Sequence, residues 1–361
     1  MVKPEEILRS GPNQYICREG ILKDLSTFVQ TFRSPVAVTG FKSYKAFQNY
    51  TSFPSNVEVF QHDGYSTDQA IEEISQFANQ ADVIIGVGGG KILDTAKSVA
   101  DKLGIEIITI PTVAGTCAAA TPLSVIYDSN GSFTRVDYHF RTIHLTLVDP
   151  IFLLDSPIEY LKSGIGDSLA KWYEAEAIIR NSNRSDLSIM VKVGLDHASY
   201  IKDILLEDSN AAIEGMKSNT VTPSFTRVLE AIIPLAGTVG GYAGKYGRMS
   251  GAHAVHNGLS FIDETHRILH GQKVAYGILV QLLLEDRTEE VKELLPFYKS
   301  LTFPVNLQEL NVAKEQEQAM KTVAAHAVKP EESLQLIKAF QEIDVIKSMQ
   351  GLEKLSEVSL V

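Results

Sequence analysis

Histidines are concentrated in one short part of this sequence, and a carboxylate-bearing motif precedes them. Four of the nine histidines lie between positions 253 and 270, namely His253, His256, His266 and His270. Asp167 lies upstream, in the motif GIGDSLAKW. One carboxylate and two neutral imidazoles can hold a divalent ion while leaving a position open for water or substrate. Histidines also cluster on polar helix faces without a metal, so the pattern alone leaves both interpretations open.

A glycine-rich segment is the second candidate for chemistry. The sequence GVGGGKILDTAK at 86–97 follows an apolar run and begins a helical pattern. Its consecutive glycines are Gly88, Gly89 and Gly90. Glycines let a backbone approach a ligand closely, and the first amides of a helix point N–H groups at an anion. Lys91 adds a positive charge, and Asp94 can accept a hydrogen bond from a sugar hydroxyl or an amide. The segment matches neither GxGxxG nor GxxxxGK[ST]; it predicts phosphate binding, and the alternative is a tight strand-to-helix turn.

Lysines, rather than acids, follow the first predicted strand. NAD-selective sites commonly place a carboxylate where the adenosine ribose binds, but no Asp or Glu occurs between Val38 and Ser43. Lys42, Ser43 and Lys45 would instead suit a 2′-phosphate. The alternative is a solvated turn whose lysines have no ligand.

Two differently patterned halves must position these residues. Over the first 150 residues, short β-rich runs alternate with helical patterns, which is typical of a parallel sheet covered by helices. The predicted strands are 36–39, 57–60, 83–85, 105–110 and 143–148, with an inserted hairpin at 123–127 and 133–138. Beyond about residue 156 helical periodicity dominates. We therefore predict an α/β domain at 1–157 and an all-α domain at 158–361.

Two helices are predicted between the central strands. Ser66 or Thr67 would cap the first, which presents Ile71, Ile74 and Phe77 on one face. The second begins in the glycine-rich segment. It carries the apolar stripe Leu93, Ala96, Val99, Ala100 and Leu103.

The composition restricts the class of protein. The chain has 361 residues, with 33 Lys+Arg and 44 Asp+Glu, so its net charge is −11. This acidic balance argues against broad binding of nucleic acid or an anionic membrane. The two cysteines, Cys17 and Cys117, lie far apart, which indicates a reducing compartment and excludes a cysteine-built zinc module. Because no apolar run has signal-peptide or membrane-spanning length, we expect a cytoplasmic protein, and its apolar helical domain favours a homo-oligomer.

Four motifs spread over both predicted domains resemble the iron-containing alcohol dehydrogenase superfamily, in its glycerol dehydrogenase-like branch. They are GVGGGKILDTAK at 86–97, IPTVAGTCAAATPLSVIY at 110–127, GIGDSLAKWYEAE at 164–176, and SGAHAVHNGL with LHGQKVAYG at 250–277. The resemblance implies a Rossmann-like (dehydroquinate synthase-like) cofactor domain and an all-α metal-binding domain. It also implies an active site in the cleft between them.

The same resemblance implies which residues bind the metal and the cofactor. Asp167, His253 and His270 match the metal ligands, which places His256 and His266 beside the metal. The implied dinucleotide contacts are Gly88, Gly89, Gly90, Lys91, Asp94, Thr112, Thr121, Leu123 and Tyr127, and Lys42 is the candidate for a 2′-phosphate. Zinc suits a nitrogen- and oxygen-ligated site with an open position, and iron, manganese and nickel are also compatible.

One departure from the branch concerns the substrate pocket. Glycerol dehydrogenases resemble this sequence but carry threonine–aspartate–alanine, whose aspartate binds the polyol. Here Thr116 is followed by Cys117. A thiol is a weak hydrogen-bond partner without a reliable charge at neutral pH, so the departure disfavours glycerol as the natural substrate.

A second departure is Lys171, which stands where the iron-dependent branch has a fourth histidine. It follows Asp167 by four residues, on the same helical face. An ammonium group beside a divalent cation is repelled unless it binds an anion, and a substrate carboxylate would satisfy it. In the alternative interpretation, Lys171 pairs with Glu174 or Glu176.

Both departures make the chain resemble hydroxycarboxylate dehydrogenases of the enterobacterial type. The expected reaction is reduction of short 2-oxo acids to 2-hydroxy acids with NADPH or NADH, the metal acting as a Lewis acid on the carbonyl oxygen. His256 or the ribose hydroxyls would deliver the proton. Two alternatives remain: an NAD-dependent polyol dehydrogenase, and a lyase of the dehydroquinate synthase kind, which would need further basic residues for a phosphorylated substrate.

Overall fold

The computed structural model describes residues 3–183 and 187–358. The chain divides into two compact units. The first contains Met1–Leu161 and Ala211–Gly241, and the second contains Lys162–Asn210 and Tyr242–Val361. The units thus differ from the predicted domains in the segment 211–241, and the boundary at residue 157 remains a prediction. Among the described residues, no helix is long and apolar enough to cross a membrane. The expected cytoplasmic location and homo-oligomeric state remain predictions.

A parallel six-stranded sheet forms the centre of the first unit. The strands in chain order are β1 (Gln14–Cys17), β2 (Pro35–Thr39), β3 (Glu58–Gln61), β4 (Val83–Gly88), β5 (Glu106–Pro111), β6 (Leu123–Tyr127), β7 (Phe133–Tyr138) and β8 (Leu145–Val148). The sheet order is β1-β8-β5-β4-β2-β3, and each neighbouring pair is parallel. Strands β6 and β7 form a separate antiparallel hairpin. The carboxyl ends of β2, β4 and β5 are therefore neighbours at one edge of the sheet, where ligands bind in open α/β folds.

Helices account for most of the remaining described residues. In chain order they are α1 (Leu25–Val29), α2 (Phe41–Tyr50), α3 (Asp68–Phe77), α4 (Gly90–Leu103), α5 (Pro150–Leu154), α6 (Ile158–Asn181), α7 (Ile189–Lys217), α8 (Pro223–Glu230), α9 (Ala236–Ala243), α10 (Gly251–Leu259), α11 (His270–Leu284), α12 (Thr288–Leu301), α13 (Gln316–Ala327) and α14 (Glu342–Val358).

The predicted α/β fold and its strands are confirmed, with one strand added. Strand β1 has only four residues, lies at the edge of the sheet and is partly buried, so its sequence QYIC carries no clear alternation. The central strand β4 is fully buried. Its side chains alternate between two apolar clusters: Ile85 packs in one with Phe47, and Ile84 packs in the other with Ile74 and Ala96. Helices thus cover both faces of the sheet, as the apolar pattern of its strands predicts.

The helix α3 matches its predicted start but not its whole predicted face. Thr67 is the N-cap, and its Oγ1 accepts a hydrogen bond from the amide of Ala70 at 3.1 Å. Ile71 and Ile74 are buried. Phe77, the last residue of the helix, is 45% exposed, and its ring meets that of Phe60 in an edge-to-face arrangement.

The described part of the second unit is helical and contains no strand, as predicted. Within it, α10, α11, α13 and α14 pack together. Helix α6 spans Ile158–Asn181. Asp167 therefore lies inside a continuous helix, where its backbone position is held by hydrogen bonds on both sides.

Candidate metal centre and phosphate-binding loop

The structure brings together the three side chains implied as metal ligands. Asp167 lies on α6, His253 on α10 and His270 at the first position of α11. Their potential ligand atoms all lie within 4.8 Å of one another. The Asp167 Oδ1 atom is 3.3 Å from Nε2 of His253 and 3.1 Å from Nε2 of His270. A carboxylate oxygen and two imidazole nitrogens converging on one point fit the donor set of a divalent metal site.

Two glycines allow these helices to meet. A Cβ atom on Gly166, beside Asp167, would lie 2.3 Å from the carbonyl oxygen of Gly271. A Cβ atom on Gly271, beside His270, would lie 1.7 Å from the carbonyl oxygen of Ser163. Real Cβ atoms do not come this close to another atom, so the main chains of α6 and α11 touch only because both positions lack side chains. The motifs GIGD and LHGQ thus carry a packing requirement next to each ligand.

The cluster is strongly charged, and two of its three side chains, Asp167 and His253, are buried. Burial alone would raise the pKa of Asp167, but hydrogen bonds from His253 and His270 hold that pKa well below its ordinary value. Burial likewise lowers the pKa of His253, but the charge of Glu174 and hydrogen bonds to Asp167 and Glu174 raise it to about 9. The carboxylate is therefore ionised and the site favours a positive charge, whether protons or a metal ion supply it.

Glu174 is a functional side chain that sequence reasoning did not place at the cluster. Its Oε2 atom accepts a hydrogen bond from Nδ1 of His253 at 2.8 Å. Its Oε1 atom accepts from the backbone amides of Ser250 and His253, at 2.7 and 2.9 Å. Glu174 follows Asp167 by seven residues, so helical periodicity puts both on one face of α6. That spacing was the available signal.

His270 is held by a chain of three polar side chains. Its Nδ1 is 2.9 Å from Nε2 of His256, whose Nδ1 is 3.0 Å from Oδ1 of Asn257. The amide nitrogen of Asn257 donates to both carboxylate oxygens of Glu332, at 3.3 and 3.0 Å. Both ring nitrogens of His256 are thus engaged within the protein, so a proton transfer from His256 to substrate would require one of these bonds to break.

The other predicted residues of this unit occupy different positions. His266 is exposed, its Nε2 lies 3.1 Å from the carbonyl oxygen of Ser260, and it is not part of the ligand group. Lys171 is buried, and its Nζ donates to the carbonyl oxygen of Arg248 at 2.9 Å. The positive charge of Lys171 helps to lower the pKa of Asp167 and of Glu174. Glu176, the alternative partner of Lys171, instead pairs with arginines.

The glycine-rich segment forms the predicted strand-to-helix turn. Gly88 ends β4 and Gly89 is the N-cap of α4. The first amides of α4 have no partner within the helix, so they can donate to an anion at the ligand-binding edge of the sheet. The exposed Lys91 places its Nζ 3.6 Å from the ring centre of Tyr65. The turn has the geometry of a phosphate-binding loop.

Asp94 has protein partners on both carboxylate oxygens. Its Oδ1 is 2.9 Å from Nζ of Lys97, and its Oδ2 accepts from the amide of Val125 at 3.1 Å. Lys97 is buried and also donates to the carbonyl oxygens of Ala118, Thr121 and Leu123. The pair therefore fastens the segment between β5 and β6 to α4. A direct contact of Asp94 with the cofactor remains a prediction.

The remaining predicted cofactor contacts lie around this loop. Thr112 directly follows β5 and donates its amide to the carbonyl of Gly88 at 3.1 Å. Thr121 is buried, Leu123 begins β6, and Tyr127 ends β6 near the ring of Tyr65. Burial, with the nearby Asp94 and Tyr65, raises the pKa of Tyr127 to about 12, so its hydroxyl stays protonated.

Lys42 and Lys45 are exposed on the first turns of α2, which begins directly after β2. Ser43, the third candidate for a 2′-phosphate, accepts from the amide of Gly40 at 2.9 Å and so caps the helix. Its hydroxyl also lies 2.9 Å from that of Thr39. The two lysines are therefore the candidates that remain available to an anion.

Cys117 begins a short 3₁₀ turn, Cys117–Ala119, capped by Thr116. The Oγ1 atom of Thr116 lies 3.7 Å from the position that a Cβ atom on Gly90 would take. The turn carrying Cys117 thus packs directly against the glycine-rich segment. Its half-buried side chain lies beside the predicted cofactor site, and its role in substrate choice stays a prediction.

A serine, a histidine and an aspartate also meet in the first unit. Nε2 of His139 is 2.8 Å from Oγ of Ser124, and Nδ1 is 3.2 Å from a carboxylate oxygen of Asp101. This order resembles the triad of acyl hydrolases. Ser124 is fully buried, however, and its hydroxyl donates to the carbonyl oxygen of Asp94 at 2.8 Å. The group therefore supports the fold and cannot attack a substrate.

Comparison with known proteins gives a consistent family. The family model described as iron-containing alcohol dehydrogenase matches residues 12–150. Hydroxycarboxylate dehydrogenase A of Escherichia coli (strain K12) is 37% identical over 286 residues, which cover 79% of this chain and 78% of that protein. A glycerol dehydrogenase of Thermotoga maritima is 32% identical over 335 residues and 90% of each chain.

Solved structures agree with the sequence matches. The crystal structure of glycerol dehydrogenase from Schizosaccharomyces pombe has a TM-score of 0.87 at 28% identity, covering 97% of this chain and 91% of that one. A probable glycerol dehydrogenase from Sinorhizobium meliloti has a TM-score of 0.86 at 28% identity, covering 96% and 98%. The fold is thus shared over nearly the whole chain.

Proposed function

Because the chain belongs to the iron-containing alcohol dehydrogenase family, we propose that it reduces short 2-oxo acids to 2-hydroxy acids with NAD(P)H and a divalent metal ion. A dehydrogenase of this kind uses the cofactor for hydride transfer and the protein for binding, orientation and electrostatics. The alternative within the family is oxidation of glycerol or a similar polyol.

The position of Lys171 carries the proposal for an acidic substrate. Lys171 follows Asp167 by one helical turn on α6 and is only 9% exposed. An ammonium group has three donors, and the carbonyl oxygen of Arg248 takes one of them. A buried cation next to a metal site needs further negative charge, and a substrate carboxylate would provide it.

The metal cluster supports the choice of a carbonyl as the reacting group. Asp167, His253 and His270 would hold the ion, and the bound ion would supply a Lewis acid for the substrate oxygen. Glu174 keeps His253 directed at the site through its hydrogen bond to Nδ1. Among the described residues three protein ligands converge there, which would leave at least one position open to substrate.

The first unit supports binding of a nicotinamide dinucleotide. The unpaired amides at the start of α4 and the charge of Lys91 suit its phosphates. We propose NADPH as the preferred donor, since Lys42 and Lys45 are exposed at the end of β2 where NAD-selective sites carry an acid. A preference for NADH would leave these lysines without a ligand role.

The similar proteins include enzymes named for each of the two substrate classes, hydroxycarboxylates and glycerol. The relative at 37% identity is named a hydroxycarboxylate dehydrogenase, whereas the relative at 32% identity and the two solved structures described above are named glycerol dehydrogenases. Cys117 decides between them in our proposal, because a thiol replaces the aspartate that the resemblance gives to polyol binding. The identity of the metal is left to direct metal analysis.

A cofactor-by-substrate screen tests the proposal. Purified protein is supplied with NADPH or NADH and with 2-oxobutanoate or 2-oxoglutarate, and in parallel with NAD⁺ or NADP⁺ and glycerol. We expect oxidation of NADPH by the oxo acids to exceed glycerol oxidation. Turnover of glycerol alone would replace the proposal with the polyol alternative.

The substitution Lys171→Met tests the substrate carboxylate directly. Loss of a charge-assisted contact of about 1.5–3 kcal/mol predicts a rise of about 10–100-fold in KM for 2-oxo acids. The KM for glycolaldehyde, which has no carboxylate, should stay the same. Lys162→Met, on the same helix, is the control, since its Nζ bonds to Thr302. An equal loss on both substrates would remove the carboxylate-binding role.

A further inference from the structure

We propose that Glu332 and Asn257 are positioning residues of the metal centre, which act through His256 to hold His270 in the tautomer that leaves Nε2 available to a metal ion. The inference rests on the metal site of the proposed function. Glu332 lies on a loop after α13, and three successive hydrogen bonds connect its side chain to the metal ligand His270.

The direction in which these hydrogen bonds are donated is set by Glu332, the residue of the series farthest from the metal cluster. A carboxylate only accepts hydrogen bonds, and both oxygens of Glu332 face the same nitrogen of Asn257. The NH₂ group of Asn257 must therefore point to Glu332, and its oxygen must point to His256. Hydrogen-bond chemistry thus fixes the orientation of this amide.

Each following bond is then determined. Since Oδ1 of Asn257 can only accept, Nδ1 of His256 must carry a proton and donate. A neutral imidazole ring that carries its proton on Nδ1 has none on Nε2. Nε2 of His256 is then an acceptor, and Nδ1 of His270 donates to it.

The inner end of this series of hydrogen bonds presents Nε2 of His270 to the cluster. With Nδ1 of His270 donating to His256, Nε2 is the ring nitrogen that faces Oδ1 of Asp167, at 3.1 Å. A bound metal ion would take the place of the Nε2 proton that otherwise donates to Asp167. The hydrogen bonds that begin at Glu332 therefore favour the form of His270 that binds a metal ion through Nε2. In this arrangement His256 orients His270 and does not donate a proton to substrate.

Three variants test the chain. Glu332→Ala removes its anchor, so Asn257 is free to turn its NH₂ group toward His256. Glu331→Ala is the matched control, because Glu331 is the exposed neighbour and carries the same charge. In the double variant Glu332→Ala/Asn257→Asp, an acceptor-only carboxylate faces His256 again and the total charge equals that of the wild type.

Two measurements follow these variants, and neither depends on turnover. The first is the tautomer of His256 and His270, from two-bond ¹H–¹⁵N couplings of ¹⁵N-histidine-labelled protein loaded with Zn²⁺. The second is the Kd for Zn²⁺, from competition with a chelator. We expect Glu332→Ala to lose the Nδ1–H form of His256 and to weaken Zn²⁺ binding about 10-fold, the lower end for outer partners of metal ligands. The control should match the wild type, and the double variant should recover both properties.

Opposite results would overturn the inference. It fails if Glu332→Ala keeps the wild-type Kd and the Nδ1–H form of His256. It also fails if the double variant, folded by circular dichroism, does not recover what Glu332→Ala lost. The substrate screen is independent of these results: a protein that shows the Glu332 effect but reduces no 2-oxo acid retains this inference and loses the proposed function.

Discussion

The two imidazoles of the metal cluster are held by different means. His253 is 6% exposed and donates directly to Glu174, a carboxylate on the same helix as Asp167. His270 is 40% exposed, and its link to Glu332 passes through His256 and Asn257. One ligand is thus fixed by a single strong charge-assisted bond within the core. The other is fixed by a series of hydrogen bonds in which only the outermost, from Asn257 to Glu332, involves a carboxylate.

The different support of the two imidazoles affects the net charge of the metal cluster. Asp167 and Glu174 each bring one negative charge to the cluster, and Lys171 brings one positive charge. A divalent ion would leave the group with one net positive charge, which suits an anionic substrate. A second carboxylate bonded directly to His270 would cancel that charge, whereas the neutral chain orients the ring without adding charge beside it.

The largest expected loss of metal affinity comes from substituting Asp167, whose Oδ1 atom faces both imidazoles. Asp167→Asn changes the carboxylate whose Oδ1 lies within 3.3 Å of both Nε2 atoms. We expect this change to empty the metal site, so that the different support of His253 and His270 no longer affects metal binding. The loss of metal affinity should exceed the roughly 10–100-fold that is typical of outer partners. Metal analysis after dialysis measures it. Asp263→Asn, a 97% exposed carboxylate, is the control, and retained stoichiometric metal in Asp167→Asn would refute the ligand assignment.

A smaller effect is expected at Glu174. Glu174→Gln keeps the shape but removes the charge, and one polar group must then serve both Nδ1 of His253 and the amides at the start of α10. We expect metal affinity to fall about 100-fold, more than for Glu332→Ala, because the contact is direct and buried. Chelator competition provides the ranking. Glu176→Gln, whose partners are arginines, is the control. A larger loss of metal affinity in Glu332→Ala than in Glu174→Gln would contradict the conclusion that His253 is the more strongly held ligand.

The smallest effect is a pH dependence of the metal-free protein. Because the pKa of His253 is raised to about 9, above its unfolded value near 6.5, protonation of this ring stabilises the folded state. The contribution is fully present below pH 6.5 and is lost as the pH rises through 9. Since Glu174 is a main cause, the difference in the free energy of unfolding between wild type and Glu174→Gln should be larger at pH 6 than at pH 10. Urea titrations at both pH values measure it, and a constant difference would contradict this origin.

Much of this arrangement was accessible from sequence because it follows local patterns. Strand β4 and the start of α4 are predicted by an apolar run and consecutive glycines, which act over a few residues. The grouping of Asp167, His253 and His270 came from motif resemblance, since no local rule connects helices so far apart in the chain. The family, the fold class and the dehydrogenase activity are confirmed by the comparisons.

The parts that sequence missed depend on tertiary contacts. Glu174 shares a helical face with Asp167, yet only the packing of α10 against α6 shows that it bonds His253. Glu332 follows Asn257 by 75 residues, and nothing in its surroundings marks it as a partner of that amide. The contacts of Asp94 with Lys97 and Val125 also become visible only in the folded chain, and its contact with the cofactor stays a prediction.

The contact between Gly166 and Gly271 links metal binding to folding. Because the main chains of α6 and α11 touch there, Asp167 and His270 approach each other only after these two helices have docked. A methyl group at either position would act as a wedge that separates the ligand-bearing helices. Metal uptake during refolding should therefore report the moment at which this helix pair closes, and a glycine-to-alanine change would separate the gain of helical structure from the gain of metal.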